Sequence, residues 1–491
     1  MKIILSGYNV DTDVLEELKK NSPPRSDVTP ETLSAAYARI SRDPRPVDEL
    51  RAVSRKEVES TRKSNSTIIF KMGHHSVAEH AVFNFDIIGV SRLAMEYLER
   101  FRLGSYTEKS QRYITLGDDF VIPEEFKGAD LENDFVGIIK KQNVMYHELF
   151  EELKKLVFKK HSSLAAHPKN NSLLEGWAKE DARYVTSLAT FGQLGMTINA
   201  RNLEYLFRRF ASQSLKEVSA IGKKMYGLVE KIAPSIILFA AANDFDQKTY
   251  GELESYVSRE MNIKPEPVSS NRVSLVDYSA NADEKVLAAL LHSISGFSYA
   301  ESFAKAKKLG GKQKEEIFNK TFQYMELYDS VLREFEFVNL TYELVISAAC
   351  FAQLKRHRMA TITTQNYDPA LGVVIPDSIK ELGKEKAFME IINETNEVYA
   401  KLAKKNAQAA QYVLTNAHQR RVLIRVNARE LYHVARLRED THAQWDIQRI
   451  SAQMSAKARE KMPLLAALLC GKDKYPEMYA KIFKKPPKVI L

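Results

Sequence analysis

The tripeptide Asn199-Ala200-Arg201 returns as Asn427-Ala428-Arg429, and ahead of each copy stands a basic triplet, Arg100-Phe101-Arg102 and then Arg356-His357-Arg358. The segment 272–295, RVSLVDYSANADEKVLAALLHSIS, has the strand-then-helix style of the chain's opening, and Ser330-Val331 matches Ser76-Val77. A recurrence of this length excludes a short-period solenoid and predicts two tandem copies of one domain. Residues 243–270 lack a strong apolar pattern and hold Pro265 and Pro267, which puts the boundary there and gives domains 1–262 and 263–491. The first copy is longer between its triplet and its Asn-Ala-Arg box, with helical patterns over roughly 131–165 whose charge run reads as a solvated face.

Most of the chemistry is concentrated between Gly73 and Tyr113. Phe83, Phe85 and Ile87 alternate with Val82, Asn84 and Asp86, the period of a half-buried strand. Val90, Leu93, Ala94, Tyr97, Leu98 and Phe101 then recur at helical spacing as one apolar stripe, with Arg92, Glu96, Glu99, Arg100 and Arg102 off it. Beyond Gly104, Glu108, Ser110, Arg112 and Tyr113 form a polar turn. The fork of donors on arginine, with hydroxyls beside it, suits a phosphate. In the second copy Ile346, Ala349, Cys350, Gln353, Leu354 and His357 fall at the stripe positions, so a Gln and a His one turn apart interrupt an otherwise apolar helical face.

The 491 residues carry a formal charge of +9, with 44% hydrophobic and 27% charged residues, which excludes a disordered chain. The arginines sit in structured motifs rather than in a basic tail, which favours small anionic substrates over nucleic acid, and no nucleic-acid recognition module is present. Cys350 and Cys470 make neither a disulfide framework nor a metal cluster, so a reducing cytoplasm is expected. Cys350 lies among apolar neighbours that favour an inert thiol. No signal peptide is read at the N-terminus, and the longest apolar run, near 236–242, is far too short for a membrane span, so a soluble protein is expected.

The run Gly73 to His80 (GHHSVAEH), the triplet at 100–102 followed by Ser110, Arg112 and Tyr113, and the box at 199–203 together resemble the signature of flavin-dependent thymidylate synthases. One position departs: Phe101 stands where the family has the middle His of Arg-His-Arg. The resemblance implies an α+β fold, two tandem copies of a thymidylate synthase-like domain, each a sheet with long helices. It implies FAD as cofactor, NADPH and methylenetetrahydrofolate as co-substrates, and dUMP as the pyrimidine substrate. By the same resemblance dUMP would be held by Gln353, Arg356 and Arg438 from the second copy and Glu108, Ser110, Arg112 and Arg183 from the first, with Arg438 in the catalytic role beside the uracil. FAD would be lined by His74, Ser76, Glu108, Arg356, His357, Arg358, Asn427, Arg429, His433 and His442, although the family commonly has Asn at the position of His433.

The copies lose these residues in a complementary way. Asn366 and Asp368 stand for Ser110 and Arg112, Gln411 for Arg183, and in the first copy Tyr97 and Phe210 stand for Gln353 and Arg438. A duplicated enzyme keeping one intact composite site accounts for that sorting, and two fused copies imply a homodimer that rebuilds the four-domain assembly of the family. The alternative is a catalytically inactive flavin- or nucleotide-binding homologue with a regulatory role.

Overall fold

Two four-stranded antiparallel sheets with the same strand order organise the chain. The computed structural model describes residues 1–20, 28–71, 73–128, 130–261 and 271–488. The first sheet holds β1 (Lys2–Tyr8), β2 (Val82–Ser91), β3 (Ser105–Glu108) and β4 (Phe191–Asn199). The second holds β5 (Val273–Tyr278), β6 (Asn339–Ser347), β7 (Thr361–Thr364) and β8 (Gln419–Asn427). Their orders, β1-β2-β4-β3 and β5-β6-β8-β7, correspond strand by strand. In β2 the alternation is realised directly: Phe83, Phe85 and Ile87 are buried, and Asp86 is exposed. Leu340, Tyr342, Leu344 and Ile346 of β6 do the same in the second core.

The helix after β2 is shorter than its apolar stripe suggests. It runs Arg92–Leu98, so Val90 ends the strand and Phe101 lies in the turn beyond. The start is fixed by Ser91, whose hydroxyl accepts from the Ala94 N–H at 2.9 Å, an N-cap. Glu217 in turn accepts from the Ser91 backbone N–H at 2.8 Å and from its hydroxyl at 2.6 Å. The second unit repeats the device. Ser347 caps the helix Ala348–Leu354 by accepting from the Cys350 N–H at 3.0 Å and donates to Asp446 at 2.6 Å. The expectation of one helical face carrying both Gln353 and His357 is therefore corrected: Gln353 is helical, and His357 sits in the following turn.

A second correction concerns the segment ahead of the central strand. The turn His75–His80 precedes β2 and the turn Arg333–Phe337 precedes β6. Arg201 pairs with Glu79 and Arg429 with Glu336. These ion pairs put Arg333, not Ser330, at the position of Ser76.

The chain divides into two compact units, Met1–Glu266 with Lys386–Leu414, and Pro267–Glu385 with Thr415–Leu491. The boundary expected at 262/263 and the two prolines near it lie outside the described residues. Although written in the second half, nearly all of the long helix Glu385–Ala410 belongs to the first unit. There it meets the helix Leu131–Lys160: Gln142 donates to the Thr395 hydroxyl and to the Val413 carbonyl, both at 2.9 Å. The Leu188 and Ala189 N–H groups donate to the carbonyls of Leu414 and Tyr412 at 2.8 and 2.9 Å. The charge run over 131–165 covers one side only, because Phe135, Ile138, Ile139 and Leu149 of that helix are buried. No helix among the described residues is long and apolar enough to cross a membrane.

Candidate functional site

In the second unit the helix Ala428–Arg438 starts at Asn427, whose side chain accepts from the Glu430 N–H at 2.8 Å. Arg438 is its last residue, and there Arg438 Nε donates to His357 Nε2 at 2.8 Å. The His357 ring meets the His433 ring edge-on, with centroids 5.6 Å apart, and its Nδ1 lies 3.5 Å from Glu430 Oε1. Burial, followed by the positive charge of Arg438 and then by the nearby His433 and Arg356, holds the His357 imidazole well below its ordinary pKa, so it is neutral at pH 7. Gln353 is buried on the preceding helix, and its Nε2 has no hydrogen-bond partner. Such an orphaned donor costs about 1–3 kcal/mol, a cost that a ligand carbonyl offsets.

Around this core the remaining expected residues take different positions. Arg356, Arg358 and His433 are exposed. His442 is exposed too, with its ring and backbone N–H turned to Asp440 Oδ1 at 2.8 and 2.9 Å. Arg429 braces the turn Arg333–Phe337, donating to the Val331 carbonyl at 2.9 Å and to Glu336 at 3.1 Å. Asp368 accepts from the Ala370 N–H at 2.9 Å and so caps a local turn. Cys350 is fully buried, and burial followed by the charge of Asp446 pushes its thiol pKa well up.

The matched positions of the first unit are filled by rings. Phe101 packs edge-on against Tyr205 and Phe210, with centroids 5.5 and 5.8 Å apart, where the second unit has His357, His433 and Arg438. Tyr97, at the position of Gln353, lies under the Arg100 guanidinium at 4.5 Å.

What the first unit holds instead is a group of charges around the loop after β3. Ser110 accepts from the Arg112 N–H at 3.1 Å, and Arg112 forms an ion pair with Glu180. Arg183 is buried and donates to the Glu180 carbonyl at 3.2 Å. Burial pushes the Glu180 carboxyl pKa up, against the pull of Arg112 and Arg183. For Arg183 burial acts downward, opposed by Glu180 and reinforced by the neighbouring Arg112 and Arg92. Glu108 completes the group, 4.0 Å from Arg92 Nε, and Arg92 also faces Glu96 at 3.5 Å.

The structure thus brings Glu108, Arg112 and Arg183 into one neighbourhood, together with Arg92 and Glu180, which the sequence reading missed. Arg92, Glu96 and Glu99 lie off the apolar stripe yet are buried. The spacing of Arg92 and Glu96, one helical turn apart, was the available signal. His74 and Ser76 are exposed at the turn before β2, at the other end of that strand from Arg92. Among the described residues no cluster of His, Cys, Asp and Glu has the makings of a metal site.

Comparison with known proteins gives this geometry a family. The family model described as Thymidylate synthase complementing protein matches residues 26–235 and again residues 274–464. A flavin-dependent thymidylate synthase of Geobacter sulfurreducens is 33% identical over 172 residues, 34% of this chain and 65% of that protein. One from Pyrococcus abyssi is 33% identical over 177 residues, 35% of this chain and 62% of its own length. The chain therefore spans less than two thirds of either relative. A UPF0159 protein of Chlamydia muridarum is 24% identical over 427 residues, covering 82% of this chain and 79% of its own. Among solved structures, the flavin-dependent thymidylate synthase of Helicobacter pylori complexed with FAD and dUMP aligns over 49% of this chain at 18% identity and a TM-score of 0.31. Since the family match recurs in both halves and together takes in most of the sequence, the chain belongs to the thymidylate synthase complementing protein family.

Proposed function

We propose that this protein is a flavin-dependent thymidylate synthase that converts dUMP to dTMP by reductive methylation, taking the one-carbon unit from methylenetetrahydrofolate and electrons from NADPH. The observation that carries the reading is the complementary sorting of polar groups. Gln353, His357 and Arg438 are polar in one half where the other has Tyr97, Phe101 and Phe210, while Ser110, Arg112 and Arg183 face Asn366, Asp368 and Gln411 in the alignment of the halves. A duplicated enzyme that works as a homodimer needs only one complete set.

In this reading Arg112 and Arg183, with the Ser110 hydroxyl, bind the nucleotide phosphate as a fork of charged donors. Gln353 gives its unsatisfied amide N–H to a uracil carbonyl. Arg356 contributes charge at the phosphate side, and Arg438 stabilises negative charge on the ring. The donor set for FAD comprises His74, Ser76, Glu108, Arg356, His357, Arg358, Asn427, Arg429, His433 and His442, and the exposed cations Arg356 and Arg358 suit its pyrophosphate. Bound flavin supplies the reducing equivalents. Arg429, held by Glu336, contributes chiefly by fixing the turn beside the site.

The deciding experiment is turnover of dUMP by purified protein with methylenetetrahydrofolate, FAD and NADPH. Formation of dTMP together with NADPH-dependent bleaching of a flavin spectrum is expected. The ring cluster at Phe101, Tyr205 and Phe210 favours one rival, a regulatory homologue that binds flavin or nucleotide without turnover. Binding of FAD and dUMP with no dTMP formed would select the rival, and a protein that binds neither would exclude both.

A further inference from the structure

His357 and three positions along the helix Ala428–Arg438, namely Glu430, His433 and Arg438, form one group, and in the first unit the matched residues are Phe101, Asn202, Tyr205 and Phe210. Not one of the three charge-bearing partners of His357 is kept where the histidine is lost. In the first unit Asn202 instead turns its amide back to Asn199 Oδ1 at 2.8 Å. The four residues of the second unit therefore behave as a set.

Their hydrogen bonding shows which tautomer of the ring this geometry holds. Arginine has donors only, so the 2.8 Å contact from Arg438 Nε makes His357 Nε2 an acceptor without a proton. A neutral imidazole carries one proton, which then sits on Nδ1. The group facing Nδ1 is Glu430 Oε1 at 3.5 Å, and both side chains are more than nine-tenths buried. That distance exceeds a formed hydrogen bond, and contacts of this kind tighten when a site is loaded.

We infer that Glu430 is a positioning residue: its carboxylate keeps the proton of His357 on Nδ1, which leaves Nε2 to hold Arg438 Nε–H and aims the rest of the Arg438 guanidinium at the pyrimidine. This rests on the reading of Arg438 as the arginine beside the uracil. The other charged groups facing the pair are His433 and Arg429 from the same helix and Arg356 from the turn before the ring. Burial pushes the Glu430 carboxyl pKa up, opposed by His433 and Arg429, while burial and the charges of Arg438 and Arg356 keep His357 neutral.

The test uses the full-length protein with Glu430→Gln and Glu430→Leu. Nitrogen-15 spectra of the imidazoles, with the His357 signal assigned from a His357→Phe sample, report the tautomer. Calorimetry reports dUMP affinity. The Nδ1–H tautomer is expected in the wild type and in Glu430→Gln, whose amide oxygen still accepts. Glu430→Leu should move the proton to Nε2 and weaken dUMP binding about tenfold or more, with Glu430→Gln staying close to wild type. A wild-type ring protonated on Nε2, an unchanged tautomer in Glu430→Leu, or equal damage from Gln and Leu overturns the inference. If Glu430→Leu fails to fold, the wild-type tautomer and the Gln variant decide it. If the wild type does not bind dUMP, the functional reading fails, while the tautomer still decides the positioning role.

Discussion

At matched positions a ring cluster and a charge network ask opposite things of the same fold. Phe210 is a buried volume, so Phe210→Ala opens a cavity worth about 3–5 kcal/mol and should lower the melting temperature clearly. Arg438, at the same place in the second unit, is half-buried and donates to His357. Arg438→Ala should abolish dTMP formation and cost about 1–3 kcal/mol in melting for the His357 acceptor left unpaired, less than Phe210→Ala, and Tyr97→Phe should alter neither. Paired thermal melts and steady-state assays check this, and loss of activity in Tyr97→Phe equal to that of Arg438→Ala would count against the division of labour. Arg112→Ala should weaken dUMP by tenfold or more, the order of 1.5–3 kcal/mol for a charged hydrogen-bond partner, as read by calorimetry. Unchanged affinity there would remove the loop from the site. The motif residues were legible in the sequence because their types are chemically distinctive. Arg92 and Glu180 were not, since a buried charge is revealed only by the partner that three-dimensional packing supplies.

Between strand and helix in each unit the junction is set by one serine and one acid. Val90 is out of phase with the alternation at Phe83, Phe85 and Ile87, because the strand register shifts between Ile88 and Val90, so periodicity alone gave it to the helix. The cap decides, and Ser347→Ala should cost roughly 1–2 kcal/mol in urea unfolding, from the lost cap and the Asp446 carboxylate left short of a donor. The turn before β8 adds a pH dependence. His418 is buried, and its Nδ1 accepts from the Thr415 N–H at 2.9 Å, a bond that protonation of that nitrogen breaks. Burial brings its pKa from 6.5 down to about 3. The unfolded chain therefore takes up the proton first as pH falls. Stability should be flat above about pH 7 and fall below about 6.5, by up to about 1.4 kcal/mol per pH unit. Urea melts at pH 5 and 7.5 should show a smaller difference in His418→Gln than in the wild type, and an identical difference would rule the histidine out.

Over the whole molecule the sequence halves and the compact units do not coincide, because residues 386–414 complete the first unit. A fragment of residues 1–262 should therefore lack the cooperative melt that it regains when residues 386–414 are supplied with it; a fully cooperative melt of the bare fragment would contradict this. For the intact chain, light scattering with flavin present should give twice the 55.9 kDa of one chain, and a clean monomer would argue against the dimer proposed above. The sequence by itself determined that one pattern occurs twice along the chain and which strand side chains alternate, because each is written in local order and residue type. Only the tertiary structure decided that a helix from the second half packs with the first unit, that Glu217 and Asp446 anchor the two caps, and that Arg92 and Glu180 join the charge group. Those outcomes depend on contacts between residues far apart in the chain, whose energies come from burial and pairing and leave no mark on any local period.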